Sequence, residues 1–352
     1  MDPRVHRATP TEGASPQPPP SNTHQTTYPA DIDGTDPSRS NSDQLTSPAD
    51  LESTMQPIPK PKPNEKDFGI KAFSSPDDPI VDIVAIHGLD GHREETWMAQ
   101  NGTLWLRDFL PSDLPKARIL SYGYDANTGC QESISTEIMR RDAQKFASTL
   151  VRKRRDAPRR PIIFIAHDLG GIILKWALVI CDNQRPRPGP IQRDDLQSVL
   201  VSTQAILFFG TPHFGVKDEI IDAIQHMASV YTHKTDKILD QLREDSSELE
   251  NVQELYAGIS KNIHRVCFYS GCSQGKKGDM SVSYRSAVIA GDPDARKESL
   301  HASHKEMVKL SKDDEGYDTV CDYIKEFARS AVQEVGAKWV TEDRIRSAAN
   351  GR

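Results

Sequence analysis

The most constraining feature of this 352-residue chain is Ile162–Lys175, a segment in which a buried strand passes through a very short turn into an apolar helix. Its central residues, Ala166-His167-Asp168-Leu169-Gly170, follow the pattern small–x–nucleophile–x–Gly. Small residues flank the centre because the turn is tight, and the strained backbone pushes the central side chain out above the strand end. The segment therefore predicts an α/β sheet that presents Asp168 at the start of a helix.

Strand and helix patterns alternate on both sides of that turn. Apolar β-branched runs predict strands, and apolar residues at three- to four-residue steps predict helices. The predicted strands are 80–86, 118–122, 161–166, 203–209 and 263–269, with a further one at 280–290, and the predicted helices are 131–155, 172–181, 299–310 and 318–335. This alternation favours an α/β fold with a mostly parallel sheet and helices on both faces.

Composition separates a tail from this folded region. Residues 1–66 contain 13 of the 24 prolines and one aromatic residue, Tyr28, so they bury too little apolar surface to offset their conformational entropy. The alternating prolines of 57–63 favour an extended linker and leave open a docking motif for a protein partner. We expect a disordered tail over 1–66, an α/β domain over 67–335 with a helical lid over 216–262, and a C-terminal tail over 336–352.

Charge and cysteine content narrow the classes of function. The net charge of −7 argues weakly against nucleic-acid binding, and no apolar run reaches the ~18 residues of a membrane-spanning helix. The first residues carry no secretory signal, and the five cysteines match no disulfide framework, so we expect reduced thiols in an intracellular protein. The sequence shows no cofactor motif and no metal site. The basic residues of 145–160 predict a solvated helix end, with contact to anionic lipid as the alternative.

A second glycine-rich turn, His87-Gly88-Leu89-Asp90-Gly91, follows the first strong strand. A backbone N–H in such a turn, and another at a helix N-terminus, can bind a developing oxyanion. We therefore predict Leu89 and Leu169 as the two N–H donors of an oxyanion site.

With these motifs the sequence resembles the lipase-like serine-esterase domain of serine active site-containing proteins, and also the hydrolase modules at the N-termini of many fungal NLR-type receptors. The matching segments include FIAHDLGGIILKWAL (164–178) and ILFFGTPHFG (206–215), together with 81–97, 105–125 and 303–310. The resemblance implies an α/β-hydrolase fold and esterase or lipase chemistry on an ester- or lipid-like substrate. It also implies a place in the cytoplasm or at the surface of endoplasmic reticulum or mitochondrial membranes.

The chain departs from that family at the nucleophile, where serine is replaced by Asp168. A carboxylate is a poor acyl nucleophile and would repel a developing oxyanion, so hydrolysis through an acyl-enzyme should be lost or greatly weakened. The elbow also resembles that of haloalkane dehalogenases and epoxide hydrolases, in which the carboxylate attacks a saturated carbon. Epoxide opening needs acidic donors, and the lid segment offers Tyr231 and Tyr256.

Three functions therefore stay open. The first is hydrolysis with Asp168 as nucleophile, including an epoxide-hydrolase-like reaction through an alkyl ester. The second is a catalytically silent hydrolase domain used for recognition or signalling. The third is a scaffold whose N-terminal tail binds partners.

The base and the acid are taken from the resemblance. It selects His304 over His301 as the base, and it places the acid near Ser270, so Asp279 is the nearest candidate and Asp292 the second. The remaining motif and pocket positions are His87, Gly88, His167, Gly170, Gly171, Gly210 and His213.

Overall fold

The strands predicted from apolar runs lie in one sheet. The structure, a computed structural model, describes residues 67–126, 136–183, 195–218, 242–244, 246–271, 282–289 and 291–350. The predicted N-terminal tail, Asp279 and much of the predicted lid, including Tyr231, lie outside the described residues.

The strands are β1 Gly69–Ser74, β2 Val81–Ile86, β3 Ala117–Gly123, β4 Ile162–His167, β5 Thr203–Phe209, β6 His264–Ser270 and β7 Ala295–Leu300. The α-helices are α1 Trp105–Asp108, α2 Leu110–Asp113, α3 Thr136–Lys153, α4 Leu169–Asn183, α5 Gln197–Ser202, α6 Ser247–Ile259, α7 Tyr284–Ala287 and α8 Glu315–Asn350.

The sheet order is β1-β3-β2-β4-β5-β6-β7, with β1 antiparallel to β3 and every other neighbouring pair parallel. This topology confirms the predicted fold class. Because the central strands are parallel, the turns that follow β2, β4, β5 and β6 meet at one edge, where open α/β sheets place their sites.

Alternate residues of each strand face opposite layers. On β2, Val84 and Ile86 pack in a core with α3 and α4, whereas Ile83 and Ala85 pack in a second core with α8. Since both faces are covered, the central strands are apolar along their whole length, which is why their runs could be recognised in the sequence.

Some predicted elements were wrong. A strand was predicted over 280–290, but the described part of this segment contains the short helix α7, which Ser283 caps through its side chain. The strand that follows β6 in the chain is β7. The predicted helix over 299–310 is a series of turns after the last residue of β7. The predicted C-terminal tail over 336–352 is not a separate segment, since α8 continues past 335 and ends at Asn350.

The C-terminal part of α8 is tied to the domain. The Trp339 indole N–H donates to Ser202 at 3.1 Å, and Arg346 forms an ion pair with Asp195 at 2.8 Å. None of the helices in the described residues combines the length and the apolar character needed to cross a membrane.

Candidate active site

The turn from β4 to α4 holds Asp168 in a left-handed backbone conformation, with φ of +51°. Its N–H donates to the Phe209 carbonyl on β5 at 2.9 Å, and its own carbonyl accepts from Gly171 N–H at 3.0 Å. A non-glycine residue at positive φ persists only where its surroundings enforce it, and such residues cluster at functional sites. This is the backbone geometry expected of a nucleophile elbow.

Close approach explains the glycine at position 88. A Cβ atom on Gly88 would lie 2.4 Å from the Cβ of Asp168, so any larger residue would displace the elbow side chain. Gly170 and Gly171, in the first turn of α4, pass equally close to the His87 carbonyl and to the Thr211 side chain. The two predicted glycine-rich turns therefore lie in direct contact.

The two carboxylate oxygens of Asp168 have different surroundings. Oδ2 accepts a hydrogen bond from Leu89 N–H at 2.9 Å. Oδ1 lies 3.6 Å from His304 Nε2 and is buried without a hydrogen-bond partner among the described residues. Leu169 lies next to this carboxylate as the first residue of α4, and its role as a second donor stays a prediction.

Asp168 is 2% exposed, and its charge is stabilised by neighbouring groups. Burial raises the pKa of the Asp168 carboxyl, but the nearby His304 and His167 rings and the Leu89 N–H lower it by more. The net result is a pKa below the ordinary value, so the elbow carries a carboxylate at neutral pH.

His304 lies in the turns after β7 and is buried. Its carbonyl accepts a hydrogen bond from His167 Nε2 at 3.0 Å. Its Nδ1 edge faces Gly210, where an added Cβ would lie 2.6 Å from Nδ1. His167 therefore fixes the backbone at position 304, and its ring lies against the imidazole with ring centroids 5.0 Å apart. Nε2 of His304 lies on the side of Asp168.

The acid candidates do not complete a triad within the described residues. Asp279 lies outside them. Asp292 instead binds Arg265, with Nε–Oδ2 and Nη2–Oδ1 distances of 2.7 and 3.0 Å. Ser270, at the position where the resemblance predicts an acid, donates through Oγ to the Ala302 carbonyl at 2.6 Å and so supports the turn that leads to His304.

The other predicted histidines are buried and neutral. Burial lowers the pKa of His87 to about 4 and that of His167 to about 4. Nδ1 of His213 lies 2.6 Å from Lys175 Nζ, and burial holds the pKa of His213 well below the ordinary value.

Sequence reasoning missed Lys175 and Tyr124. Lys175 interrupts the apolar run of α4, and this charge was the signal that could have marked it. Tyr124 follows β3 and stacks on His87 with ring centroids 4.4 Å apart, a contact that only the fold creates. Among the described residues, no group of three His, Cys, Asp or Glu side chains could hold a metal ion.

The sequence matches no protein-family model. It is similar to Protein SERAC1 of Danio rerio, with 27% identity over 202 residues that cover 52% of this chain and 29% of that protein. It is also similar to Protein SERAC1 of Homo sapiens, with 29% identity over 154 residues that cover 38% of this chain and 22% of that protein. The chain thus spans less than a third of the length of these curated relatives.

Among solved structures, the fold is similar to lipase BlEst2 of Bacillus licheniformis. The mature form gives a TM-score of 0.50 at 14% identity and covers 73% of this chain and 97% of that chain. The propeptide form gives a TM-score of 0.51 at 14% identity and covers 74% and 53%. This chain therefore has the α/β-hydrolase fold of lipases and esterases, while its nucleophile and its likeness to fungal NLR modules stay predictions.

Proposed function

We propose that this chain is a hydrolase whose nucleophile is the Asp168 carboxylate, and that it attacks a saturated carbon such as that of a lipid-like epoxide. The observation that carries this proposal is the different environment of the two carboxylate oxygens. Leu89 N–H binds Oδ2, whereas Oδ1 has no hydrogen-bond partner among the described residues and lies 3.6 Å from His304 Nε2. One oxygen is thus held by a backbone donor, and the other has no hydrogen bond, in the described part of the chain, that attack would have to break.

The same geometry disfavours acyl transfer. In a serine esterase the oxyanion donor is open to the substrate carbonyl, but here Leu89 N–H is already bound to Oδ2. A substrate oxyanion at that donor would also meet a carboxylate of like charge. Attack on a saturated carbon creates no tetrahedral oxyanion and avoids both problems.

In the first step, a lone pair on Oδ1 forms a bond to the substrate carbon, and the epoxide C–O bond breaks. The electron pair of that bond stays on the departing oxygen, which takes the proton from Nε2 of protonated His304. The products are an alkyl ester on Asp168, a hydroxyl group on the substrate and a neutral imidazole.

In the second step, neutral His304 removes a proton from water, which adds to Cγ of the ester. Negative charge returns to Oδ2, where Leu89 N–H stabilises it. Collapse breaks the Cγ–Oδ1 bond, the leaving oxygen takes a proton from His304, and the acid left on Asp168 returns its proton to His304. The sum is one epoxide and one water converted into one diol.

Labelled water tests this mechanism. Asp168 is the only carboxyl side chain in the tryptic segment 160–175. Turnover of a fatty epoxide in water labelled with heavy oxygen should place the label in that peptide, since water oxygen enters at Cγ. Asp168→Asn should abolish both turnover and labelling. Diol formation with an unlabelled peptide would contradict an Asp168 nucleophile.

One observation favours a silent domain as the second candidate. Nδ1 of His304 faces Gly210, and Asp168 is the carboxylate paired with this histidine in the described residues. An elbow carboxylate that takes the place of both the serine and the triad acid is the arrangement expected of a disarmed site. Asp168→Ser distinguishes the two, because ester hydrolysis gained by this variant, with no epoxide turnover by the wild type, would support the silent domain.

A further inference from the structure

We infer that His87 is a positioning residue, whose ring fixes the peptide unit that carries the Leu89 N–H and so aims this donor at Oδ2 of Asp168. The inference rests on the proposed function and deepens it. It assigns a role in the second chemical step to a residue outside the Asp168–His304 pair.

The argument begins with the peptide unit between Gly88 and Leu89. Because a peptide is planar and trans, its C=O and N–H point in opposite directions, so fixing the carbonyl also fixes the N–H. The Gly88 carbonyl lies 2.9 Å from His87 Nδ1 and accepts from Gly91 N–H at 3.2 Å. With the carbonyl held by these two groups, the N–H is directed to Asp168 at 2.9 Å.

The tautomer of His87 follows from its partners. A carbonyl only accepts, so Nδ1 carries the proton and donates to Gly88. Nε2 is then the acceptor, and the backbone N–H of Tyr124 points to it at 3.4 Å. Burial lowers the pKa of His87 to about 4, which keeps the ring in this single neutral form at neutral pH.

Tyr124 holds the ring in place. The two rings stack at 4.4 Å with an interplanar angle of 5°, and the Tyr124 hydroxyl donates to the His87 carbonyl at 2.9 Å. Beyond Leu89, the turn is anchored again by Asp90, which has φ of +51° and donates its N–H to Ala126 at 2.9 Å. The donor is therefore fixed from both sides.

The two chemical steps depend on this donor in opposite ways. During attack, the negative charge leaves the Asp168 carboxylate, so the Leu89 bond stabilises the starting state more than the transition state. During ester hydrolysis, the charge returns to the same oxygen, so the bond stabilises the transition state. A misdirected Leu89 N–H should slow hydrolysis selectively and let the alkyl ester accumulate.

A matched set of variants tests the inference. In His87→Asn the amide nitrogen replaces Nδ1 and can still donate to Gly88, whereas in His87→Ala this donor is lost. We expect His87→Ala to reduce turnover of the fatty epoxide by roughly ten- to a hundred-fold, with the alkyl ester detectable on segment 160–175 by mass spectrometry. His87→Asn should retain most of the activity and show no accumulation. Wild-type rates in His87→Ala, or equal losses in both variants without the ester, would overturn the inference.

A second measurement separates this inference from the proposed function. If the wild-type protein does not turn over the epoxide, the proposed function fails. The hydrogen bond from Leu89 N–H to Asp168 can still be followed by NMR through the chemical shift of the Leu89 amide proton. His87→Ala should move that resonance upfield, as expected for a weakened bond to a carboxylate, while His87→Asn should leave it near the wild-type position. An unchanged resonance in folded His87→Ala would refute the positioning role.

Discussion

A single buried amine joins three parts of the fold. Lys175 on α4 has no exposed surface, and its Nζ lies 2.6 Å from Nδ1 of His213 and 2.5 Å from Oε1 of Gln253. His213 follows β5 and Gln253 belongs to α6, so Lys175 connects the elbow helix to both. Burial lowers the pKa of Lys175 to about 7, which makes it a candidate for a pH-dependent contribution to stability.

We predict that Lys175→Met removes part of the pH dependence of folding. The unfolded lysine keeps its proton up to about pH 10.4, whereas the folded one releases it near pH 7. Between these values the unfolded state binds more protons, so the free energy of unfolding rises with pH. In this window the free energy of unfolding should rise with pH more steeply in the wild type than in Lys175→Met, by about 1.4 kcal/mol per pH unit.

Urea unfolding at a series of pH values measures this difference. Lys145→Met is the matched control, because the Lys145 side chain is 62% exposed and its removal should leave the slope unchanged. Parallel curves for the wild type and Lys175→Met would contradict the expected titration.

At the scale of elements, one carboxylate joins the start of β2 to β3 and to the turn before β4. Asp82 is fully buried and pairs with Arg118 at 2.7 Å, with Arg160 at 3.2 Å, and with the buried Arg154. The basic run after α3 was predicted to be solvated, and for Arg154 this was wrong. Contact of the remaining exposed cations with anionic lipid stays a prediction.

We predict that Asp82→Asn destabilises the domain by about 3–5 kcal/mol, because it leaves buried guanidinium groups without their anion. Asp343→Asn is the control, since it breaks an exposed ion pair with Arg159 that contributes about 0–1 kcal/mol. Thermal and urea unfolding of the two variants measure both effects. Equal stabilities would mean that the cluster contributes no more than a surface pair.

How far the sequence predicts an element depends on its place in the sheet. The central strands were found because burial on both faces makes them continuously apolar. The edge strands β1 (GIKAFS) and β7 (ARKESL) are partly exposed and carry no such run, so they were missed. Met307 and Val308 lie in the predicted helix over 299–310 and are buried, but they reach the core from turns.

The candidate site shows the same limit. The approach of Asp168 to Leu89 was predictable, because both residues follow predicted strands whose ends meet at one edge of the sheet, whereas His304 was selected by the family resemblance. The stacking of Tyr124 on His87 and the support of Ala302 by Ser270 were not predictable, since each depends on contacts between distant segments.

At the scale of the whole molecule, buried neutral histidines link stability to acid pH. His87 and His167 both lie at the carboxyl edge of the sheet, and burial lowers the pKa of each to about 4. An unfolded histidine takes up its proton near pH 6.5. Below that value the unfolded state therefore binds more protons than the folded state, and the free energy of unfolding falls as the pH falls.

We predict that His87 and His167 each cost the domain roughly 3 kcal/mol between pH 6.5 and 4, a large share of the stability of about 5–15 kcal/mol of a typical domain. His167→Gln should remove roughly 3 kcal/mol of the acid loss, because the Gln amide can still donate to the His304 carbonyl but does not titrate. His301→Gln, at an exposed position, is the control. Urea midpoints measured from pH 7 to 4 test the prediction, and an unchanged slope in His167→Gln would show that other groups cause the acid sensitivity.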